Sequence, residues 1–215
     1  MELLATGLPA EPVLLGSDRT GDRRMSGYDR WVLLPAYPLK SDRLTLRPFA
    51  EGDLDDLHAF HSQPEVARYL YWEARDREQT REVLARKVGQ TALTAEGQHL
   101  TLAVVEGGRV IGEVNLGWLS EEHRQGEFGY VFHPDAGGKG YATEAARVVL
   151  RLGFEELGLH RIIGRCDPRN DASWRLMERL GMRREAHFVQ NEIFKGEWGD
   201  EYYYAMLADE WRART

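Results

Sequence analysis

The chain has 215 residues, of which 42% are hydrophobic and 29% charged, and its formal net charge is −7. This length suits a single domain, and the acidic balance without a basic stripe argues against a nucleic-acid partner. The single cysteine, Cys166, excludes an internal disulfide, and no apolar run reaches the roughly 20 residues of a membrane span, so we expect a cytoplasmic protein with no membrane partner.

The first 38 residues differ from the rest of the chain. They are rich in Gly, Pro, Asp and Arg and show no sustained hydrophobic period. We expect residues 1–38 to form an N-terminal extension, either a tail or an arm that packs through apolar residues such as Trp31 and Leu33. The regular pattern begins at Leu39, so residues 39–215 are the predicted folded domain.

Strands and helices alternate along the predicted domain. Alternating or β-branched stretches predict strands at 43–47, 99–105, 109–119, 127–132, 161–166, 184–194 and 201–207. Apolar residues at helical spacing predict helices over 53–61, after Pro64, and over 77–93, 140–157 and 171–180. Gly107 and Gly108 indicate a hairpin turn, and we expect the segment KGEWGD to join the last two strands.

A cluster of glycines lies between a strand and a helix, in the segment HPDAGGKGYATEA at residues 133–145. Gly137, Gly138 and Gly140 surround Lys139, and the helical pattern starts at once after them. Glycines let the backbone approach a ligand closely, and a helix N-terminus presents unpaired N–H groups and the positive end of the helix dipole. The segment therefore predicts a phosphate site rather than a simple turn.

Two nucleotide-binding motifs do not fit this segment. A Walker A loop would need glycine at position 133 and serine or threonine at position 140, which hold His133 and Gly140. The dinucleotide fingerprint would need its third glycine where Thr143 stands. The phosphate must therefore belong to another class of ligand.

Three segments resemble the GNAT N-acetyltransferases. GEFGYVFHPDAGGKGYATEA resembles the family's acetyl-CoA pyrophosphate loop, Gln/Arg-x-x-Gly-x-Gly/Ala, with Gly138 and Gly140 at the two small positions. Asp135 stands where the family usually has Gln or Arg, and Gly137 stands where a basic residue is common, so Lys139 can supply the charge instead. The family's second hallmark is an Asn and a Ser or Tyr near a short helix, which approach the pantetheine and the sulfur of the cofactor; it is resembled by the segment CDPRNDASWRLMERLGM. The RimJ/RimL branch of ribosomal-protein N-terminal acetyltransferases is resembled by the ending FVQNEIFKGEWGDEYYYAML.

The resemblance spans about residues 39–211 and implies both a fold and an activity. It implies an α+β GNAT fold, with a central twisted mixed, mostly antiparallel, sheet of about seven strands flanked by about four helices. It also implies an acyltransferase that moves acetyl from acetyl-CoA to a primary amine by direct attack on the thioester, without a metal. The RimJ/RimL resemblance favours a protein N-terminal α-amine as the acceptor.

The resemblance also implies roles for individual residues. Ser173 is the expected general acid, and Glu192 the expected general base, with Glu113 and Glu127 as its rivals. Asn170 is expected to hydrogen-bond the pantetheine arm. The other expected acetyl-CoA contacts are Val131 and Phe132 through the main chain, and Gly137, Gly138, Lys139, Gly140, Tyr141, Ala142 and Thr143 in the loop.

Other functions stay open at this point. The acceptor is alternatively a small amine, such as a polyamine, an amino acid or an aminoglycoside. A non-catalytic acyl-CoA-binding domain would also keep the loop, although Ser173 and Glu192 argue against it. A homodimer is a further open expectation. Cys166 is a poor nucleophile on this evidence, since no histidine is its neighbour in the sequence.

Overall fold

The computed structural model describes residues 31–214 of the chain. Its eight strands are β1 (Leu39–Lys40), β2 (Thr45–Pro48), β3 (His99–Glu106), β4 (Arg109–Ser120), β5 (Gln125–Phe132), β6 (Arg161–Cys166), β7 (Arg183–Phe194) and β8 (Glu197–Leu207). The α-helices in the same range are α1 (Leu54–His61), α2 (Pro64–Ala67), α3 (Arg77–Val88), α4 (Tyr141–Arg151), α5 (Asp171–Leu180) and α6 (Ala208–Arg212).

All eight strands form one sheet in the order β1-β2-β3-β4-β5-β6-β8-β7. Every neighbouring pair is antiparallel except β5 and β6, which are parallel. The predicted α+β fold with a mixed, mostly antiparallel sheet is thus confirmed. The strand count exceeds the prediction by one, because β1 has only two residues and is too short to leave a pattern in the sequence. The described residues form six α-helices rather than about four, because α2 and α6 are short helices of four and five residues.

Helices cover both faces of the sheet. On one face, α4 and α5 pack on β4, β5 and β8 through buried residues that include Leu116, Val149 and Met177. On the other face, Leu57 and Phe60 of α1 and Leu84 of α3 pack against β3 and β4. None of the helices within residues 31–214 is long and apolar enough to cross a membrane.

Three predicted boundaries differ clearly from the structure. The helix expected over 140–157 is α-helical only over Tyr141–Arg151 and continues as a π-helix over Leu152–Glu156. The last hairpin turns at Lys195 and Gly196, with φ of 50° and 87°, rather than over six residues. Because this two-residue turn has positive φ at both positions, β8 begins at Glu197 and residues 197–200 belong to the sheet. The third predicted helix ends at Val88, since Gly89 caps it.

The predicted extension is described only from residue 31, so residues 1–30 lie outside the described part. Leu33 is 1% exposed and forms an isolated antiparallel bridge with Leu93. Its N–H and carbonyl make hydrogen bonds of 2.8 and 3.0 Å with the Leu93 main chain. The end of the extension thus packs against the segment that precedes β3.

A buried charged cluster ties α3 to the centre of the sheet. Glu113 on β4 is 4% exposed, and its Oε1 accepts a hydrogen bond of 2.9 Å from Lys87 Nζ. Burial opposes ionisation of Glu113, but Lys87 and His61 outweigh it and lower its pKa to about 2. Arg75 approaches His61 Nδ1 at 2.8 Å and stacks over the Trp72 ring at 4.0 Å.

The same cluster fixes the tautomer of His61. Burial holds the pKa of His61 below its ordinary value, so the ring is neutral near pH 7. A guanidinium only donates hydrogen bonds, so Nδ1 accepts from Arg75 and the proton lies on Nε2. His61 Nε2 faces Glu113 Oε2 across 3.7 Å. The cluster therefore anchors the loop that follows α2. The neutral His61 ring adds no further positive charge beside Glu113.

Replacing Lys87 with methionine should destabilise the protein. Without the ammonium group, the Glu113 carboxylate is buried and unpaired, and we expect the free energy of unfolding to fall by about 3–5 kcal/mol at pH 7. Arg86→Met, one residue earlier on the exposed side of α3, is the matched control and should change it by less than about 0.5 kcal/mol. Urea denaturation of the three proteins measures the difference.

Acidification should narrow the difference in unfolding free energy between the wild type and Lys87→Met. In the wild type the depressed pKa of Glu113 contributes stability above about pH 4.5, which is lost as the pH falls toward 2. In Lys87→Met, burial should raise the pKa of Glu113, so the variant is relieved of its buried charge at a higher pH. A stability difference between the two proteins that stays constant from pH 7 to pH 4 would contradict the pairing of Lys87 with an ionised Glu113.

Candidate active site

A gap opens in the sheet where β5 and β6 separate. The two strands pair only over Gln125–Glu127 and Arg161–Ile163. Beyond this point β5 stays paired with β4 as far as Phe132, while β6 stays paired with β8 as far as Cys166. The facing edges of the two strands therefore lack a strand partner past Glu127, which leaves room for an extended ligand between them.

A cleft with a volume of about 1120 Å³ runs along this gap. That volume exceeds the roughly 300–1,000 Å³ of a typical small-molecule pocket, and so suits a long ligand. The lining includes nearly all of the expected acetyl-CoA contacts: Val131, Phe132, Gly137, Gly138, Gly140, Tyr141, Ala142, Thr143, Asn170 and Ser173. Lys139 is exposed and is not among the lining residues; its carbonyl accepts a hydrogen bond of 2.9 Å from Arg43.

The glycine loop forms one end of the cleft. Gly138 and Gly140 have φ of 72° and 81°, which side chains rarely adopt, so glycine is required at both positions. Gly140 is the N-cap of α4 and has no side chain to satisfy the first N–H groups of that helix. These donors and the helix dipole favour an anion at this end.

Arg43 braces the glycine loop, and sequence reasoning missed it. Its guanidinium binds Glu144 on α4 through Nε at 2.8 Å and lies over the Tyr141 ring at 4.6 Å. Glu144 also accepts hydrogen bonds from Ser41 and from the Arg43 main chain. Nothing local in the sequence indicates this contact, because about a hundred residues separate the partners.

Three protic side chains form the wall of the cleft on the α5 face. Tyr130 on β5, Cys166 on β6 and Ser173 on α5 all line it. Burial raises the pKa of both Tyr130 and Cys166 to about 12, and the nearby Ser173 side chain lowers each in part. Asn170 is the N-cap of α5, and its side chain accepts from the Ser173 N–H at 3.3 Å.

Carboxylates dominate a smaller pocket on the opposite face of the sheet. This pocket has a volume of about 130 Å³ and adjoins the cleft at Glu127, Arg165 and Cys166. Its lining holds five acidic residues and a single basic one, Arg165. Side chains alternate between the two faces of a strand, which explains why Glu127 and Arg165 face away from Tyr130 and Cys166.

The acidic residues of this pocket have different partners. Glu127 Oε1 binds Arg165 Nε at 2.8 Å, whereas Glu201 Oε1 lies 3.4 Å from Arg165. Burial raises the pKa of Glu201; Arg165 opposes this, and the nearby carboxylates of Glu192 and Glu127 add to it. Glu192 accepts a hydrogen bond of 2.5 Å from the Tyr71 hydroxyl. Of the three expected base candidates, Glu113 and Glu127 are therefore paired with cations and Glu192 with a phenol.

The turn of the last hairpin closes over this pocket. Lys195 Nζ donates to the carbonyls of Ala67 and Trp72 at 3.0 and 3.3 Å and lies 3.1 Å from Glu73 Oε1. We call this contact the Lys195 clasp. It joins the hairpin to the loop after α2, which carries Tyr71. The carboxylate pocket is thus bordered by two segments that are distant in sequence.

Comparisons with known proteins agree with this geometry. A family model of the acetyltransferase (GNAT) domain matches residues 43–183. "Uncharacterized N-acetyltransferase YnaD" of Bacillus subtilis (strain 168) is 34% identical over 173 residues, which cover 80% of this chain and 98% of that protein. The crystal structure of an acetyltransferase (GNAT family) from Bacillus anthracis has a TM-score of 0.72 and 36% identity, covering 80% of this chain and 99% of that chain.

Two further relatives carry names that specify an acceptor. "Putative ribosomal N-acetyltransferase YdaF" of Bacillus subtilis (strain 168) is 32% identical over 104 residues, covering 48% of this chain and 57% of YdaF. "Spermidine N(1)-acetyltransferase" of Escherichia coli (strain K12) is 27% identical over 154 residues, covering 71% of this chain and 80% of that protein. The parted strands, the glycine-capped helix and the matched family model lead to one conclusion. The chain belongs to the GNAT family of acetyl-CoA-dependent N-acetyltransferases.

Proposed function

We propose that acetyl-CoA lies along the gap between β5 and β6 and that the acceptor amine enters from the carboxylate pocket. The observation that carries this proposal is the gap itself, which joins a wall of protic groups to a wall of carboxylates. The pyrophosphate would bind the N–H groups at the start of α4, from Gly137 to Thr143. The pantetheine arm would follow the main chain of Val131 and Phe132 and take a hydrogen bond from the Asn170 amide.

The two walls supply the proton transfers that amide formation needs. The attacking amine must lose a proton, and Glu192 on the carboxylate side is the proposed base. Ser173 on the opposite wall is the proposed acid for the sulfur that leaves. A backbone N–H of β5 near Val131 would stabilise the oxyanion.

The charge of the pocket supports a cationic acceptor. Five acidic residues against one arginine in the lining attract an ammonium group, even though Glu127 and Asp167 already pair with Arg165 and Arg169. This favours a small polyamine-like acceptor, the class named for the Escherichia coli relative. A protein N-terminal α-amine, expected from the RimJ/RimL resemblance, is the second candidate. The exposed Ile193 and Trp198 favour it, since they offer apolar surface on the hairpin beside the pocket.

The glycine loop gives the first test. Gly140→Val should weaken CoA binding by about ten-fold or more, because a side chain with φ near 81° distorts the start of α4 where the phosphates bind. Gly97→Val is the matched control: Gly97 has φ of 84° but does not line the cleft. It should lose similar stability and keep its CoA affinity. Calorimetry with CoA measures both, and an unchanged affinity in folded Gly140→Val would contradict the phosphate site.

The acceptor and the catalytic residues are tested together. Release of free CoA from acetyl-CoA, measured over spermidine, single amino acids, an aminoglycoside and peptides with free N-termini, identifies the acceptor class. With the best acceptor, Ser173→Ala and Glu192→Gln should each lower turnover, on the order of 10²-fold. Glu197→Gln, an exposed carboxylate on the same hairpin, is the control and should keep the wild-type rate.

The pH dependence separates the role of Glu192 from simple charge attraction. The deficit of Glu192→Gln should be largest at low pH, where the amine is mainly protonated and needs a base. It should shrink as the pH approaches the pKa of the amine. A deficit that is the same at all pH values would show that Glu192 only binds the acceptor.

A further inference from the structure

The last hairpin contains a bulge to which no role has been given. The strand pairs on its two sides are Phe188 with Glu201 and, closer to the turn, Glu192 with Gly199. Residues 189–191 of β7 therefore lie opposite the single residue Asp200 of β8, and we call them the β7 bulge. Bulges are over-represented next to active sites, where they re-aim a side chain. The residue that directly follows this bulge is Glu192, the proposed base.

The β7 bulge brings Glu192 toward the gap between β5 and β6. If β7 kept the register of Phe188 and Glu201, Glu192 would pair with Glu197, two residues closer to the turn. Because an antiparallel strand rises by about 3.4 Å per residue, the bulge moves Glu192 by about 7 Å along the sheet. In this position Glu192 lines the carboxylate pocket together with Cys166, which ends β6 at the gap.

The register with the bulge also leaves room for an acceptor. Glu192 faces Gly199, which has no side chain and lines the same pocket. In the register without the bulge it would face Glu197, and like charges directly opposite each other destabilise a strand pair. The bulge therefore gives the Glu192 carboxylate open space in which an amine can approach it.

Asp200 binds the main chain of the bulge. Its Oδ1 accepts a hydrogen bond of 2.9 Å from the Gln190 N–H, and its Oδ2 lies 2.8 Å from His187 Nε2. The Gln190 N–H, and then His187, hold the pKa of Asp200 below its ordinary value, so Asp200 is ionised near pH 7. Gln190 has a φ of 50°, which is costly for a residue other than glycine, and the bond to its N–H favours this conformation.

We propose that Asp200 is the positioning residue of the proposed base: it pins the β7 bulge, and the bulge sets Glu192 beside the gap. This inference rests on the proposed function. The side chain of Asn191 donates to Glu201 Oε2 at 3.2 Å, but this bond does not involve the main chain of the bulge. Without the Asp200 carboxylate, β7 can slip by two residues, which carries Glu192 about 7 Å away from the gap without turning it to the other face.

The kinetic test compares Asp200→Ala with Asp200→Asn. Asparagine keeps an oxygen that accepts from the Gln190 N–H and alanine does not, whereas both remove one negative charge from the pocket. In Asp200→Ala we expect kcat to fall by about 10- to 100-fold, with the KM for acetyl-CoA within about two-fold of wild type, since a displaced catalytic group is a poor one. Asp200→Asn should keep kcat within about three-fold, although its KM for the amine rises as in Asp200→Ala.

Two kinetic outcomes would overturn the inference. Equal losses of kcat in the two variants would mean that the charge of Asp200 matters and the bulge does not. An unchanged kcat in Asp200→Ala would mean that neither matters for the chemical step.

A double variant shows whether Asp200 acts through Glu192. If it does, Asp200→Ala should cause no further loss of kcat in a Glu192→Gln background. Losses that multiply would mean that Asp200 acts independently of the base, and would overturn its role as a positioning residue.

The strand register can be measured without acetyl transfer. In NMR spectra of the isotope-labelled protein, a cross-strand NOE should join the main chains of Glu192 and Gly199 in the wild type and in Asp200→Asn, and should be lost in Asp200→Ala. The NOE between Phe188 and Glu201, on the other side of the bulge, is the internal control and should persist in all three proteins. An active enzyme whose Asp200→Ala variant keeps the NOE from Glu192 to Gly199 contradicts this inference alone. Loss of that NOE in a protein that releases no CoA with any amine contradicts the proposed function, while the role of Asp200 in the register stands.

Discussion

The parting of β5 and β6 is the constraint on which the rest of the site depends. The parallel pairing of β5 and β6 is limited to three residue pairs. Past these pairs each strand keeps only its outer neighbour, β4 for β5 and β8 for β6. Gly164, just past the split, lies so close to Phe128 and Met177 that a Cβ there would come within 2.7 Å of each. The packing beneath the gap is therefore tight although the gap itself is open.

The split also separates charges that would otherwise meet. Strand alternation places Tyr130 and Cys166 on one face and Glu127 and Arg165 on the other, so the gap is the path between them. Desolvation makes the phenol and the thiol weaker acids, while the carboxylates keep hydrogen-bonding and ionic partners. Environments that differ in this way let a single site hold an acid and a base at the same pH.

Local patterns predicted the parts of the site that are formed by neighbours in sequence. The glycines and the helix after them are consecutive, and Asn170 caps the helix on which Ser173 lies three residues later, so both could be found by reading the chain. The assigned roles of Ser173 and Glu192 stay predictions.

Contacts between distant segments left no such pattern. Arg43 meets Glu144, Tyr71 meets Glu192, and Lys87 meets Glu113 only after the sheet has set its register. The sequence predicts a connection of six residues at Lys195 instead of a two-residue turn, because a non-glycine residue at positive φ is uncommon and the charged segment after Lys195 resembles a loop.

The Lys195 clasp has a consequence for how this enzyme can change over evolution. The two segments that it joins lie more than a hundred residues apart in the chain, and neither contributes to the glycine loop. If the proposed function is correct, an insertion or deletion in either segment would change the proposed acceptor pocket more than the glycine loop. One scaffold would then acquire new amines while it keeps the same acetyl donor.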